Sequence, residues 1–308
     1  MRSFIWTEAI GCVEILRPML ESFCAHHNNP IHVYIYEKDL ESIKPLLNEN
    51  IRAITIPKDV DSNKPNEFQL TESELLDAYK GGHGGTAILW SHIIKSRDEE
   101  VLIHLDSDTI FVGEVISQIK SKMHLGYAIV GSRRPYRKNV DIKNFRFYLR
   151  FLMRPDAINT HCFGFRRDLI AKFNIKELDL LIRGKYRSKL KRLLFPVIDF
   201  FDELTFFLRN KGGIYYLDAE NQSRSGIHNR EGKFESSLIV FSAVGSGCAL
   251  YQYKDINTSD SYQEFALRSF SLFSKLLLDK ELDIPPLKSP YLEKKVSQLD
   301  RNSWRLRL

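Results

Sequence analysis

Cysteine is scarce, and the four present, Cys12, Cys24, Cys162 and Cys248, stand far apart with no Cys-x-x-Cys pair and no metal-finger spacing. That excludes a disulfide scaffold and a cysteine-built zinc module, and the four read as isolated buried thiols. Long apolar runs are lacking too. The longest, around Ser237 to Tyr251, is broken by serine and glycine, and it falls short of the roughly 20 residues a membrane-spanning helix requires. The N-terminal segment carries Glu8 where the apolar core of a secretory leader would continue, so a cytoplasmic location is expected. With 11 proline and 16 glycine in 308 residues and no internal repeat, collagen-like and low-complexity classes are excluded. What is left is an ordinary globular chain, long enough to bury roughly three quarters of the surface it exposes when unfolded.

Lys and Arg number 45 against 39 Asp and Glu, a net charge of +6, and much of the excess sits in two stretches. One holds Arg133, Arg134, Arg137, Lys138, Lys143, Arg146, Arg150 and Arg154. The other holds Arg183, Lys185, Arg187, Lys189, Lys191 and Arg192, followed directly by Leu193-Leu194-Phe195. A charge run is ordinarily a solvated face. Basic residues beside Leu and Phe also suit an anionic membrane surface, and the second stretch fits peripheral contact of that kind, on the cytoplasmic face. Nucleic acid is not an expected partner, because the excess is modest for this length and no nucleic-acid-binding motif accompanies it.

Strand-like and helix-like segments alternate through the first half, the signature of a layered α/β sheet. Phe4–Trp6, Ile31–Tyr36 and Ile51–Ile56 read as strands, with helices over Val13–His26 and Asp39–Leu47 between them. After a polar loop over 61–69 come a helix from Glu72 to Tyr79 and another from Thr86 to Lys95, the latter opened by a glycine cluster. Val101–Leu105 is the most strand-like run in the chain, and Tyr127–Val130, His161–Phe165 and Ile214–Leu217 read as later strands. Beyond Tyr251 the pattern becomes helical and charged, with Tyr262, Ala266, Phe270, Phe273 and Leu277 spaced as a packing stripe. The expected division is a main α/β domain over residues 1–250 and a C-terminal helical extension and tail over 251–308.

The informative feature is Asp106-Ser107-Asp108, set directly after the strand Val101–Leu105 and before a second apolar run, Thr109–Val112. Two carboxylates separated by one residue at the C-terminal end of a sheet strand can both reach one hard divalent cation, leaving sites for phosphate oxygens and water. The same triplet elsewhere often marks only a polar turn. Here an apolar strand precedes it, an apolar run follows it, and a β-α-β-α-β opening lies upstream, which narrows the signal.

In that setting Val101 to Val112 resembles the DxD segment of GT-A fold glycosyltransferases, in a pattern similar to glycogenin-like and bacterial surface-glycan transferases. Other segments fall in matching order over roughly residues 3–250: His83 to Ser91 ahead of the strand, Asn159 to Arg167 after it, the helix opening at Phe201-Asp202-Glu203-Leu204, and the late strand at Ile214. The resemblance implies a GT-A (Rossmann-like) mixed, mainly parallel sheet flanked by helices, and a nucleotide-sugar donor, with a UDP-sugar expected. It implies Mn or Mg bound by Asp106 and Asp108, with Ser107 beside the donor. His228, in Gly226-Ile227-His228, resembles the C-terminal histidine that completes the metal site in many of these enzymes; a surface-loop histidine is the alternative. Where relatives place Lys-Pro-Trp this chain has Lys233-Phe234, so no diphosphate role is carried to Lys233. Thr7 and Glu8, at the end of the first strand, are placed near the base or ribose. The expected acceptor is a glycan or a lipid-linked saccharide.

Transfer of a sugar leaves a nucleoside diphosphate, a poor leaving group until a cation neutralises its charge. If configuration is inverted, a carboxylate must also take the acceptor proton. Asp199, Asp202 and Glu203 form the acidic cluster in the acceptor half, and Asp202 is the residue singled out as catalytic; an N-capping acid with a first-turn glutamate is the structural alternative. Two other functions compete. A sugar-phosphate nucleotidyltransferase shares the sheet order, but the basic, glycine-rich loop it needs after the first strand is absent from Trp6–Gly11. A non-catalytic peripheral membrane or scaffold protein would use the basic stretches as its working surface.

Overall fold

The computed structural model describes residues 1–9, 13–56, 84–111, 113–133, 158–186, 201–217, 223–225 and 240–242, together with 270–271, 274–275 and 278–279. The elements in chain order are β1 (Ser3–Ala9), α1 (Val13–His26), β2 (Ile31–Tyr36), α2 (Leu40–Ile43), β3 (Ile51–Ile56), α3 (Gly84–Ser96), β4 (Val101–Leu105), β5 (Thr109–Phe111), α4 (Ile116–His124), β6 (Ile129–Arg133), β7 (Ile158–Arg166), α5 (Ile175–Ile182), α6 (Asp202–Gly212), β8 (Ile214–Tyr216), β9 (Ser223–Ser225) and β10 (Val240–Ser242). Seven strands form one sheet in the order β3-β2-β1-β4-β7-β6-β8, and three form a second in the order β5-β10-β9. The expected α/β architecture, a mixed and mainly parallel sheet flanked by helices, is the one observed.

Strand direction follows from the pairings. β1, β2 and β3 run parallel. Val101 N–H donates to the Arg2 carbonyl at 3.2 Å near the start of both strands, and His104 meets Glu8 near the end of both, so β4 runs parallel to β1 as well. β7 is antiparallel to β6, and β6 is parallel to β8. All five residues of β4 are buried, as expected of a central strand, apolar but for His104, in a sheet covered on both faces.

The chain divides into two compact units. One comprises Met1–Phe4 and the described residues of 59–103 and 119–216. Its core is aromatic: the ring of Phe201 lies 4.5 Å from Phe163 and 5.4 Å from Trp90, all three buried. Helix α4 ends in a Schellman motif, with Gly126 at φ 101°, its N–H on the Met123 carbonyl and the Tyr127 N–H on that of Lys122. Helix α5 starts with a capping box, Asn174 and Glu177 each accepting from the other's N–H at 2.9 Å.

The other unit comprises Ile5–Lys58, His104–Gln118 and the described residues from Leu217 on. Helix α1 buries Ile15, Leu16, Met19, Leu20 and Phe23, one apolar stripe at helical spacing. Its last turn fastens the segment after β4. Ser22 Oγ accepts from Phe111 N–H at 3.1 Å, and His27 Nε2 accepts from Val115 N–H at 3.1 Å. Because Nε2 accepts, the imidazole proton is on Nδ1, which donates to the Phe23 carbonyl at 2.9 Å. His27 also stacks on Phe23 and meets Phe111 edge-on, at 4.5 and 5.1 Å.

Several sequence expectations are adjusted. The helix expected over Asp39–Leu47 is broken into α2 and two flanking 3-10 turns, the second carrying Pro45, which has no N–H to continue an α-helix. The apolar run after the DxD forms β5, yet in the small sheet, antiparallel to β10. Helices α4 and α5 were not expected. Of the cysteines, Cys162 is a buried free thiol, whereas Cys24 is free and only half-buried; Cys12 and Cys248 lie outside the described residues. So do the expected loop over 61–69, the helix from Glu72 to Tyr79, and most of the C-terminal extension. No helix among the described residues is long and apolar enough to cross a membrane.

Two predictions follow from this packing. Burial holds the His27 pKa below its ordinary 6.5, outweighing the Phe23 carbonyl and Glu114, which favour the charged form, and His26 lowers it further. Between the two pKa values the unfolded chain binds more protons, so stability rises with pH there; it is fully present above about pH 6.5 and lost as pH falls through the folded pKa. The melting midpoint of wild type is expected to fall from about pH 7.5 to 5.5 more steeply than that of His27→Gln; equal slopes would show that His27 does not carry the dependence. In β7, a Cβ at Gly164 would lie 2.6 Å from Ile119 Cγ2 and 3.2 Å from Ile103 Cγ1. Gly164→Ala is therefore expected to destabilise by about 1–3 kcal/mol in denaturant titration.

Candidate active site

The polar cluster grows from two neighbouring parallel strands. In β1 successive side chains alternate faces, so Trp6 and Glu8 share one face and Thr7 takes the other. In β4 the single ionisable residue is His104, one position before the strand ends. Its ring lies 5.2 Å from that of Trp6. Its Nε2–H donates to Glu8 Oε2 at 3.0 Å and stands 3.8 Å from Asp106 Oδ1. Glu8, His104 and Asp106 are thus gathered at one edge of the sheet, with Asp108 a turn away on the same loop.

Burial is graded across this cluster. His104 is fully enclosed, the Glu8 side chain is 11% exposed and that of Asp106 27%. Asp108 is buried and Ser107 half-buried within the turn. Loss of water pushes the Asp106 carboxyl well above the usual carboxylate range; His104 pulls it down, while Asp108 and Glu8 push it further up. Two acids beside one imidazole, with Asp108 near enough to Asp106 to be felt by it, crowd three carboxyl groups at a water-poor edge. Carboxylate oxygens are the donor type that a hard divalent cation such as Mg or Mn takes, and Asp106 and Asp108 are the residues that could supply them.

Of the residues expected from sequence, Glu8, Asp106, Ser107 and Asp108 are brought together. Thr7 is fully buried on the opposite face of β1, and its hydroxyl has no hydrogen-bond partner among the described residues. His228 and Asp199 lie outside the described residues. Among the described residues no three His, Cys, Asp or Glu side chains converge as a ready metal cage.

Asp202 belongs to the other unit. It is the first residue of α6 and buried, and the N-cap is Phe201, in a left-handed conformation at φ 70° with no side-chain cap bond. Asp202 is therefore not the cap itself, and it stands with Glu203 as a first-turn acid where the helix dipole favours negative charge. Glu203, also buried, accepts from the Tyr186 N–H at 3.1 Å. Sequence reasoning missed His104. Its signal was present: one ionisable residue in an otherwise apolar strand, two positions before Asp106, so that His104 and the first acid of the motif share a strand's period-2 spacing.

The cluster makes a testable electrostatic prediction. Asp106 titrates at higher pH folded than unfolded, so the stability linked to its protonated form is present at low pH and lost as pH rises through the folded pKa. Asp106→Asn keeps the shape and removes the charge. The variant is expected to melt above wild type at neutral pH, with the difference closing as the pH is lowered; a variant less stable than wild type at neutral pH would contradict the like-charge strain.

No family model matches the chain, and no curated protein matches it in sequence. Solved structures do match. The galactosyltransferase LgtC in complex with donor and acceptor sugar analogs is 11% identical over 92% of this chain and 97% of that one, with a TM-score of 0.51. Mouse xyloside xylosyltransferase 1 in its apo form is 12% identical, covering 78% of this chain and 97% of that one, at a TM-score of 0.49. An active-site variant of LgtC is 10% identical over 78% and 86%, at 0.47. At such identities the likeness is one of fold, and the complex of LgtC carries it: the chain has the α/β fold of a known galactosyltransferase.

Proposed function

We propose that the protein is a metal-dependent glycosyltransferase that takes a sugar from a nucleotide-sugar donor, a UDP-sugar, and delivers it to a glycan or lipid-linked acceptor. The observation that carries this reading is the gathering of Glu8, His104, Asp106 and Asp108 at the C-terminal ends of β1 and β4. In the order β3-β2-β1-β4, the chain moves outward from β1 to β3 and then returns to place β4 on the other side of β1. That is the switch point at which open α/β sheets bind nucleotides. The shared fold with a galactosyltransferase supports the same reading.

Asp106 and Asp108 would hold Mn or Mg, with His228 as a third ligand, and such a cation supplies charge neutralisation to the departing diphosphate. Glu8 accepts from the nucleoside's ribose or base, and Ser107 lies along the donor. The buried Asp202, at the start of α6, is assigned to the acceptor half, as the base for the acceptor hydroxyl if configuration is inverted. The basic segment from Arg183 would bring the enzyme to an anionic membrane surface on the cytoplasmic side, which suits a lipid-linked acceptor.

Calorimetry across a panel of nucleotides and nucleotide sugars, with and without Mn, tests the reading. Wild type is expected to bind UDP only with the metal present, and Asp108→Ala to lose that affinity by about a hundredfold or more. Absence of nucleotide binding under every condition would overturn the assignment.

A further inference from the structure

His104 has no role in the mechanism just outlined, yet it is the most enclosed member of the cluster and the one that touches two of its carboxylates. An imidazole at this place has a cost. It occupies a strand whose other residues are all apolar, against the ring of Trp6. A residue there for packing alone would be apolar like its neighbours. What the imidazole adds is the Nε2–H, which takes Glu8 Oε2 at 3.0 Å and lies 3.8 Å from Asp106 Oδ1.

Consider Glu8 without that donor. Its carboxylate is 11% exposed and sits close enough to Asp106 to raise that acid's pKa. It would be a third anionic oxygen donor beside a hard cation, and nothing in its chemistry distinguishes it from Asp106. The hydrogen bond from His104 commits one of its oxygens to protein and fixes the direction of the carboxylate. We propose that His104 is a positioning residue of the donor site, which reserves Glu8 for the nucleoside part of the donor and keeps it out of the metal's ligand set. The cation would then remain with Asp106 and Asp108, and recognition of the nucleoside would depend on an imidazole that touches no ligand itself. This inference rests on the reading of the cluster as the donor site.

The test separates the nucleoside from the diphosphate. Affinities for UDP and for inorganic diphosphate, each with Mn, and for Mn alone, are measured on full-length wild type, His104→Phe and His104→Gln. Phenylalanine keeps a ring against Trp6 and removes the donor; glutamine returns an N–H near the Nε2 position. In His104→Phe the preference for UDP over diphosphate is expected to fall about tenfold or more, the loss of one hydrogen bond to a charged group. Affinity for Mn alone is held or tightened, and His104→Gln restores the preference. A purely structural residue would weaken UDP and diphosphate alike and leave their ratio unchanged, which overturns the proposal. His104→Asn, whose amide stops short of Nε2, serves the same comparison where the phenylalanine variant does not fold. Should wild type bind neither UDP nor diphosphate, the donor-site reading itself fails; should it bind both with no preference altered by any substitution, only the role of His104 fails.

Discussion

Carboxylates of like charge, held close where water is scarce, are the constraint around which this molecule is organised. Glu8, Asp106 and Asp108 sit at the ends of β1 and β4, whose central residues are buried, and the His104 imidazole lies beside the first two. Asp108 and Glu8 add to burial in making the Asp106 carboxyl harder to ionise. A folded chain keeps such a group only when other interactions exceed its cost, and here they are the apolar contacts of β4 and β1 together with the His104 hydrogen bond. Under the proposed function the same carboxylates would hold a cation and, through it, a polyphosphate. Stability and ligand chemistry at this edge therefore pull in opposite directions.

The sheet order determines which residues share that edge. β1 is followed by two strands on one side and receives β4 on the other, so residues nearly a hundred positions apart in sequence meet at adjacent strand ends. Parallel strands put both C-terminal ends at one edge, and a single reversal of strand direction would have sent Glu8 away from Asp106. In the unit that holds α6, packing plays the comparable part. Phe201 adopts a left-handed backbone that a non-glycine residue seldom takes, with its ring against Phe163 and Trp90, and the helix begins directly after it with a buried aspartate.

Much of the fold was legible in the sequence because its signals are local. Val13–His26, Ile31–Tyr36, Ile51–Ile56 and Val101–Leu105 have the bounds their periodicity implies, since each is bordered by turn residues or a change of period. Helix α5 was missed although Asn174-Ile175-Lys176-Glu177 spells a capping box, because the run behind it is short. The small sheet was out of reach: β5, β9 and β10 are three residues each, and their pairing depends on contacts distant in sequence. For the candidate site, the place of Asp106-Ser107-Asp108 directly after an apolar strand was readable. The contact of His104 with Glu8 was not, since a lone histidine in a strand acquires a partner only when tertiary structure supplies one. The N-cap at Phe201 was equally hidden, because propensity points to the aspartate and the aromatic core decides otherwise.

The anchoring of the segment after the acidic turn has a thermodynamic consequence. Before the turn, β4 is pinned in the large sheet; after it, Phe111 and Val115 give their N–H groups to Ser22 and His27 of the α1 region. A loop tied at both ends by interactions independent of any ligand has little conformational entropy left to surrender. Binding at Asp106 and Asp108 would then draw on geometry fixed during folding, so more of the contact energy would appear as affinity.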